Sequence, residues 1–134
     1  MYLNQLEEAN KEDFLKVCVH ASLSNGVFAT EEKRTLFAYC REMNVKEYVP
    51  ETPETFEELI GKICKETSKK EKNIYVLEIL ALIKSDGIYD NKEHVFMEKL
   101  LTGLGLSSSV LEKFEKLLDK YLEIEKELFT AIIE

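Results

Sequence analysis

The sequence is poor in the residues that make turns, with only five glycines and two prolines among 134 residues. A chain of many short strands needs many turns, so this scarcity favours a few long helices. No apolar run approaches the ~20 residues of a membrane-spanning helix, and the first residues lack the basic and apolar stretches of a secretory signal. We therefore expect a protein that is neither secreted nor inserted in a membrane.

Cysteine is also scarce, and its placement excludes two common roles. Cys18, Cys40 and Cys64 lie far apart and form no Cys-x-x-Cys pair, which argues against a zinc ribbon and a disulfide framework. Each lies in a periodic apolar run, so we expect three small buried hydrophobic residues. Reduced cysteines predict a cytoplasmic location.

The charge is strongly biased toward one sign. There are 26 acidic residues against 18 basic ones, which gives a net charge of -8. Binding of phosphate backbones needs clustered lysine and arginine, so we expect no nucleic acid as a partner. The acidic balance favours cations or basic partners.

Two halves of the chain resemble each other at an offset of 61 residues. The stretch 14–32 lies over 75–93, and Asn44 falls on Gly105, two residue types that tolerate the left-handed conformation ending a helix. The identical pairs are Ser24 with Ser85, Gly26 with Gly87 and Glu32 with Glu93. Beyond Pro50 the offset becomes 54. There, the capping-box spacing Ser/Thr-x-x-Glu occurs as Thr55 with Glu58 and as Ser109 with Glu112.

Each half is predicted to form three helices. Apolar residues recur at helical spacing, and strand alternation is nowhere sustained. The predicted helices are 5–23, 30–43, 53–68, 72–84, 91–104 and 108–122, with the last able to continue to 133. We therefore predict an all-α bundle of six to seven helices in a single domain, 1–134. Its first repeat spans about 12–68, its second about 73–122, and a helical extension covers 123–134.

The C-terminal extension has apolar residues outside the repeat. Leu128, Phe129 and Ile132 continue the three- and four-residue spacing of the preceding helix. Two interpretations remain open: the helix packs on its own bundle, or these residues form the contact of a homodimer.

The segment SDGIYDNKE, residues 85–93, has the spacing of half a calcium loop. Asp86, Gly87 and Glu93 match the second half of an EF-hand. The positions of its first two ligands are occupied by Leu82 and Lys84, which supply no oxygen for calcium. An ordinary EF-hand is therefore excluded.

Helix capping explains most of this segment without a metal. Gly87 can end one helix, and Asp90 with Glu93 can form a capping box at the start of the next. Asp86 is not explained, because a carboxylate near a helix C-terminus is unfavourable. The alternative is a divalent-cation site with Asp86, Asp90 and Glu93 as ligands. If the two loops meet, they form one acidic face with Asn25, Glu31 and Glu32.

The segment 81–107, ALIKSDGIYDNKEHVFMEKLLTGLGLS, resembles the TerB-like family, named for a tellurite-resistance protein. An apolar helix runs into Asp-Gly and then into a polar helix start containing Glu, and ASLSNGVFATEE (21–32) is a weaker copy. The resemblance implies an all-helical domain with acidic residues at its helix junctions. It also implies metal-ion binding, a stress-response role and scaffolding, with Asp86, Asp90, Glu93 and Glu32 at the matching positions.

No catalytic motif accompanies this pattern. Neither HExxH, GxSxG nor a phosphate-binding loop is present. We expect a non-catalytic binding or scaffold module with an unknown protein partner, no certain cofactor and a divalent cation as the candidate ligand. The alternative is a metal-dependent hydrolase on a helical scaffold. His20 is expected at a helix end, and His94 could add a nitrogen to a cation site.

Overall fold

The computed structural model describes residues 1–24, 30–84 and 89–134. A short 3-10 helix, Leu3–Gln5, precedes six α-helices, and no strand occurs in these ranges, so the predicted all-α class is confirmed. The helices are α1 (Glu8–Leu23), α2 (Thr30–Glu42), α3 (Phe56–Glu66), α4 (Lys69–Lys84), α5 (Asn91–Gly103) and α6 (Ser108–Ile133). None of the helices in the described ranges has both the length and the apolar character needed to cross a bilayer.

Helices α1 and α4 form the centre of the bundle. They pack against each other, with α2 and α3 on α1, and α5 and α6 on α4. Every residue from 13 to 19 is buried, so α1 is covered on nearly all sides. The rings of Phe14 and Tyr75 meet edge to face with centroids 5.3 Å apart and join the two helices. Apolar character on several faces is typical of such a central helix.

The cysteines follow the expected pattern only in part. Cys18 and Cys40 are buried, as predicted, whereas Cys64 is partly exposed. All three are free thiols.

Most predicted helix bounds agree with the structure to within one residue, and the larger differences lie at helix starts and at the end of α3, which is Glu66 rather than residue 68. Helices α2 and α5 each end one residue earlier than predicted. Helix α1 begins at Glu8 rather than at residue 5, because Leu3–Gln5 form the separate 3-10 helix. Helix α3 begins at Phe56 rather than at 53, since Thr55 caps it.

Of the two capping boxes predicted from the Ser/Thr-x-x-Glu spacing, one is confirmed and the other is wrong. The Thr55 hydroxyl accepts from the Glu58 N–H at 3.2 Å, and the Glu58 carboxylate accepts from the Thr55 N–H at 3.1 Å. At α6 the cap is Ser107, whose hydroxyl accepts from the Ser109 N–H, so Ser109 and Glu112 form no box. Three consecutive serines can all cap, and the first of them lies where the chain enters the helix.

The local structure repeats with the predicted offset. Helices α1 and α4 have 16 residues each, α2 and α5 have 13 each, and each pair begins 61 residues apart. Asn44 (φ 59°) and Gly105 (φ 73°) are the described residues with positive φ. After each, a backbone N–H closes the helix end at 2.9 Å, from Val45 to Cys40 and from Leu106 to Leu101. These matches support the repeat hypothesis, and a symmetric arrangement of the two halves stays a prediction.

The Glu71 carboxylate joins the starts of α1 and α4. One oxygen accepts from the Glu7 N–H at 3.0 Å and from the Asn10 side-chain amide at 2.9 Å. The other accepts from the Ser68 N–H at 3.2 Å, while the Ser68 hydroxyl accepts from the Glu71 N–H, which makes a capping box for α4. This box explains why α4 begins at Lys69 rather than at the predicted residue 72.

Glu71 is only 4% exposed, and its hydrogen bonds determine its ionisation. Burial alone would raise the pKa of Glu71, but the bonds from Asn10, Glu7 and Ser68 outweigh it and lower the pKa below 4.5. A carboxylate with a lowered pKa contributes stability above its unfolded pKa, and that contribution is lost as the pH falls through the folded pKa.

We expect Glu71→Gln to destabilise the fold at pH 7 by about 1–3 kcal/mol, because the amide NH2 would face N–H donors. The difference from the parent protein should shrink as the pH falls below 4.5 and through the lowered folded pKa, where the folded parent becomes protonated at Glu71. Urea denaturation between pH 7 and pH 3 measures both effects. The matched control is Glu66→Gln, an exposed charge on α3. Equal losses in the two variants would contradict this role.

Gly103 allows α3 and α5 to approach closely. A Cβ at this position would lie 2.1 Å from Cγ2 and 3.3 Å from Cβ of Ile60, so the Ile60 side chain or the helix would have to shift. Beside this contact lies a groove of about 560 Å³ whose lining includes Phe56, Ile60 and Val95. Gly61 on α3 is different, since a Cβ there would meet no atom within 4 Å.

Gly103→Ala should therefore lower the free energy of unfolding by about 1–3 kcal/mol through overpacking. Gly61→Ala, the control, should leave it unchanged or raise it by up to about 1 kcal/mol through helix propensity. Chemical denaturation of both variants checks the pair. A neutral Gly103→Ala variant would show that α3 and α5 do not depend on this contact.

Candidate binding surface at the start of helix α5

The residues of the predicted acidic face are described only in part. Asn25 and Asp86 lie outside the described residues, as does the side chain of Glu31. Asp90, Glu93 and Glu32 are described. The set Asp86, Asp90 and Glu93 therefore stays a predicted group of metal ligands.

Asp90 and Glu93 form the capping box that the sequence predicted. Asp90 has an extended backbone, its Oδ1 accepts from the Glu93 N–H at 2.8 Å, and Glu93 Oε1 accepts from the Asp90 N–H at 3.1 Å. Glu93 is 3% exposed, whereas Asp90 is exposed. Glu93 is thus held in place by the fold, and Asp90 presents its carboxylate to solvent.

Glu32 occupies the matching position in the first turn of α2. Its Oε2 atom is buried and has no hydrogen-bond partner among the described residues. Buried carboxylate oxygens in native proteins nearly always have a donor or a cation beside them. Glu32 therefore offers an acceptor without a partner among the described residues, a property that it shares with Oδ2 of Asp13 and Oε2 of Glu54.

Tyr89, just before α5, starts a polar network that extends to α6. Its hydroxyl lies 3.1 Å from Nδ1 of His94 and 3.3 Å from the Glu115 carboxylate. Nε2 of His94 lies 3.0 Å from Glu98, one turn further along α5. Both ring nitrogens of His94 therefore lie within hydrogen-bond distance of a described side chain, and the cation role that the sequence suggested for His94 stays a prediction.

The number of protons in this network determines which contacts can coexist. Tyr89 has one hydroxyl proton, so it cannot donate to both His94 and Glu115. All three contacts are satisfied when both nitrogens of His94 carry a proton, with Nδ1–H donating to Tyr89 and Nε2–H donating to Glu98. Burial and the charge of Glu115 raise the pKa of Tyr89, so the hydroxyl stays protonated at neutral pH.

A second polar cluster, between α1 and the segment before α3, has no counterpart in the sequence predictions. Lys16 Nζ lies 2.8 Å from Glu54, and Lys62 lies 3.4 Å from Asp13, which is 3% exposed. The Glu54 hydrogen bond raises the pKa of Lys16, and the same bond lowers the pKa of Glu54. His20, at the end of α1 as expected, has its pKa lowered by burial. This cluster joins α1 to α3.

Whether the described part of the chain can hold a metal ion depends on how its side chains are grouped. In residues 1–24, 30–84 and 89–134, no three His, Cys, Asp or Glu side chains are grouped to hold a metal ion. The predicted ligand Asp86 lies outside these ranges, so a cation site that includes it stays a prediction.

The predicted dimer contacts lie on the exposed half of α6. Leu128, Phe129 and Ile132 are 59%, 62% and 79% exposed. The first half of α6 packs on the bundle through Leu111 and Leu118, as the first interpretation expects for that half, and the homodimer contact stays a prediction.

The cap and charge of Asp90 can be separated by substitution. Asp90→Ala removes the side-chain acceptor and should cost about 0.5–2 kcal/mol of unfolding free energy. Asp90→Asn keeps an acceptor at the N-cap and should stay within a few tenths of a kcal/mol of the parent. Urea denaturation of the two variants makes the comparison. If Asp90→Asn loses as much as Asp90→Ala, the charge rather than the cap stabilises α5.

Comparison with known proteins gives a likeness of fold. No protein-family model matches the chain, and no curated protein matches it. The crystal structure of a tellurite resistance protein from Nostoc punctiforme PCC 73102 superposes with a TM-score of 0.72 at 19% sequence identity. The match covers 95% of this chain and 82% of the other. The predicted TerB-like fold is thereby confirmed.

Proposed function

We propose that this protein is a non-catalytic TerB-like module that binds a divalent cation or a basic partner through the acidic residues at the starts of α2 and α5. We also propose a stress-response setting, because the chain shares its fold with a protein described as a tellurite resistance protein. A cytoplasmic location and a protein rather than nucleic-acid partner fit the net charge of -8.

The observation that supports this function best is the Oε2 atom of Glu32, which is buried and has no hydrogen-bond partner among the described residues. A carboxylate oxygen removed from water is costly unless a donor or cation compensates it. The second proposed contributor is the exposed carboxylate of Asp90, whose Oδ1 accepts the capping hydrogen bond from the Glu93 N–H. Carboxylate oxygens are the ligands that hard divalent cations prefer.

Because Glu32 and Asp90 lie at helix N-termini, a cation can bind there only if several carboxylates contribute. A helix N-terminus bears partial positive charge, which opposes a cation and favours the carboxylates themselves. One carboxylate is therefore insufficient, and the site needs several acidic groups at once. Asp86, which capping alone does not explain, is the residue that we propose completes the set.

Thermal melting with Mn²⁺, Ca²⁺ or Zn²⁺ tests the cation part of this function. Saturation at 100 times the dissociation constant should add about 2.7 kcal/mol of stability and raise Tm. We expect the shift to be reduced in Glu32→Gln, in Asp86→Asn and in Asp90→Asn, the last of which retains the cap.

Glu66→Gln is the control, because it removes one exposed negative charge from α3. It should keep the full metal-induced shift. No shift at millimolar metal in the parent protein would contradict cation binding. Saturable binding of a lysine-rich peptide, lost in the same three variants, would then support the basic-partner form.

A further inference from the structure

Helix α6 extends well past the bundle. Its 26 residues span about 39 Å at 1.5 Å per residue. The buried residues of α6 are Leu111 and Leu118, with Phe114 and Leu122 partly buried against the core. From residue 123 to residue 134 every side chain is exposed. The second half of the helix therefore projects from the fold that its first half stabilises.

An apolar row runs along α6 beside the face that packs on the bundle. Leu117, Tyr121, Ile124 and Leu128 are 48%, 43%, 54% and 59% exposed. Their spacing of four, three and four residues, with Ala131 three further on, is the heptad spacing of a coiled-coil seam. This row is distinct from the one formed by Leu111 and Leu118, so a second helix can occupy it while α6 stays packed on its own bundle.

The charges next to this row change sign halfway along the helix. Lys113, Lys120, Glu127 and Glu134 recur every seven residues and are all exposed. They occupy the heptad position flanking the seam, where interhelical ion pairs form in coiled coils. The row is thus basic toward the start of α6 and acidic toward its end.

Because of this sign change, the charged row of one α6 helix is complementary to the same row of a second α6 helix that runs antiparallel to it. In an antiparallel pair the flanking row of one helix lies beside the same row of the partner, which runs in the opposite direction. Lys120 then meets the partner's Glu127, and Glu127 meets the partner's Lys120. In a parallel pair Lys120 would instead meet the partner's Glu125, and Glu127 would meet the partner's Ile132. In the antiparallel arrangement both Lys120 and Glu127 of each chain have a partner of opposite charge.

We infer that α6 of a second copy packs antiparallel along Leu117, Tyr121, Ile124 and Leu128, with Lys120 paired to Glu127 across the two-fold axis. In this register Tyr121 faces the partner's Ile124, and Leu128 faces the partner's Leu117. Pairing would cover a continuous apolar stripe of a kind that monomeric proteins seldom expose. The inference is independent of cation binding at α2 and α5.

Sedimentation equilibrium of the full chain tests the pairing. The parent protein should dimerise, and Leu128→Glu should shift it to monomer because a charge enters the apolar seam opposite the partner's Leu117. Glu123→Gln, an exposed position on α6 outside the row, is the control and should dimerise like the parent. Circular dichroism checks that each variant stays helical. A parent protein that is monomeric at hundreds of micromolar would contradict the inference, as would a dimer unaffected by Leu128→Glu.

Charge reversal determines the direction of the helices. Lys120→Glu alone and Glu127→Lys alone should each raise the dimer dissociation constant about 10-fold, since two attractive pairs become repulsive. The double variant should return close to the parent value, because the pairs are restored with exchanged signs. In a parallel dimer the double variant would stay weak, because the carboxylate introduced at position 120 would still face the partner's Glu125. A double variant no tighter than Lys120→Glu would therefore contradict the antiparallel pairing.

Discussion

The arrangement of the bundle depends on one buried carboxylate, that of Glu71, between its two central helices. It accepts hydrogen bonds from the start of α1 through Glu7 and Asn10, and from the start of α4 through Ser68. The Tyr75 hydroxyl donates to the Asn10 carbonyl one turn further along, so the two helices are joined by polar as well as apolar contacts. The other α-helices pack on α1 or α4 or on their neighbours, so the Glu71 contact joins the two helices around which the bundle is arranged.

Carboxylates at helix starts stabilise the fold at one position and are candidate ligand-binding groups at two others. Glu71 is buried and fully used by donors from the protein. At α5 the capping residue Asp90 remains exposed, and at α2 the Oε2 of Glu32 is buried without a described partner. A ligand-binding surface can thus arise from helix capping without a dedicated loop, provided that the caps leave carboxylate oxygens unused.

Local sequence signals predicted the local structure well. The bounds of α2 and α5, the left-handed ends at Asn44 and Gly105, and the Asp90–Glu93 box all depend on residues within one or two turns. The cap of α6 was misplaced because three serines offer equivalent acceptors. The Lys16–Glu54 pair joins residues 38 positions apart, and Tyr89 meets Glu115 across 26, so no local pattern indicated either contact. Of the contacts in the network around Tyr89, the one between His94 and Glu98 could have been predicted, because residues four apart on a helix are neighbours.

The central functional claim is that the acidic residues at the starts of α2 and α5 bind a divalent cation. The most direct measurement is an anomalous difference map from crystals grown or soaked with Mn²⁺. If the cation binds there, we expect a peak about 2.2 Å from carboxylate oxygens of the group Glu32, Asp86, Asp90 and Glu93, in the range of oxygen ligands to such ions. A map with no peak at this surface, with Mn²⁺ in millimolar excess, would contradict it.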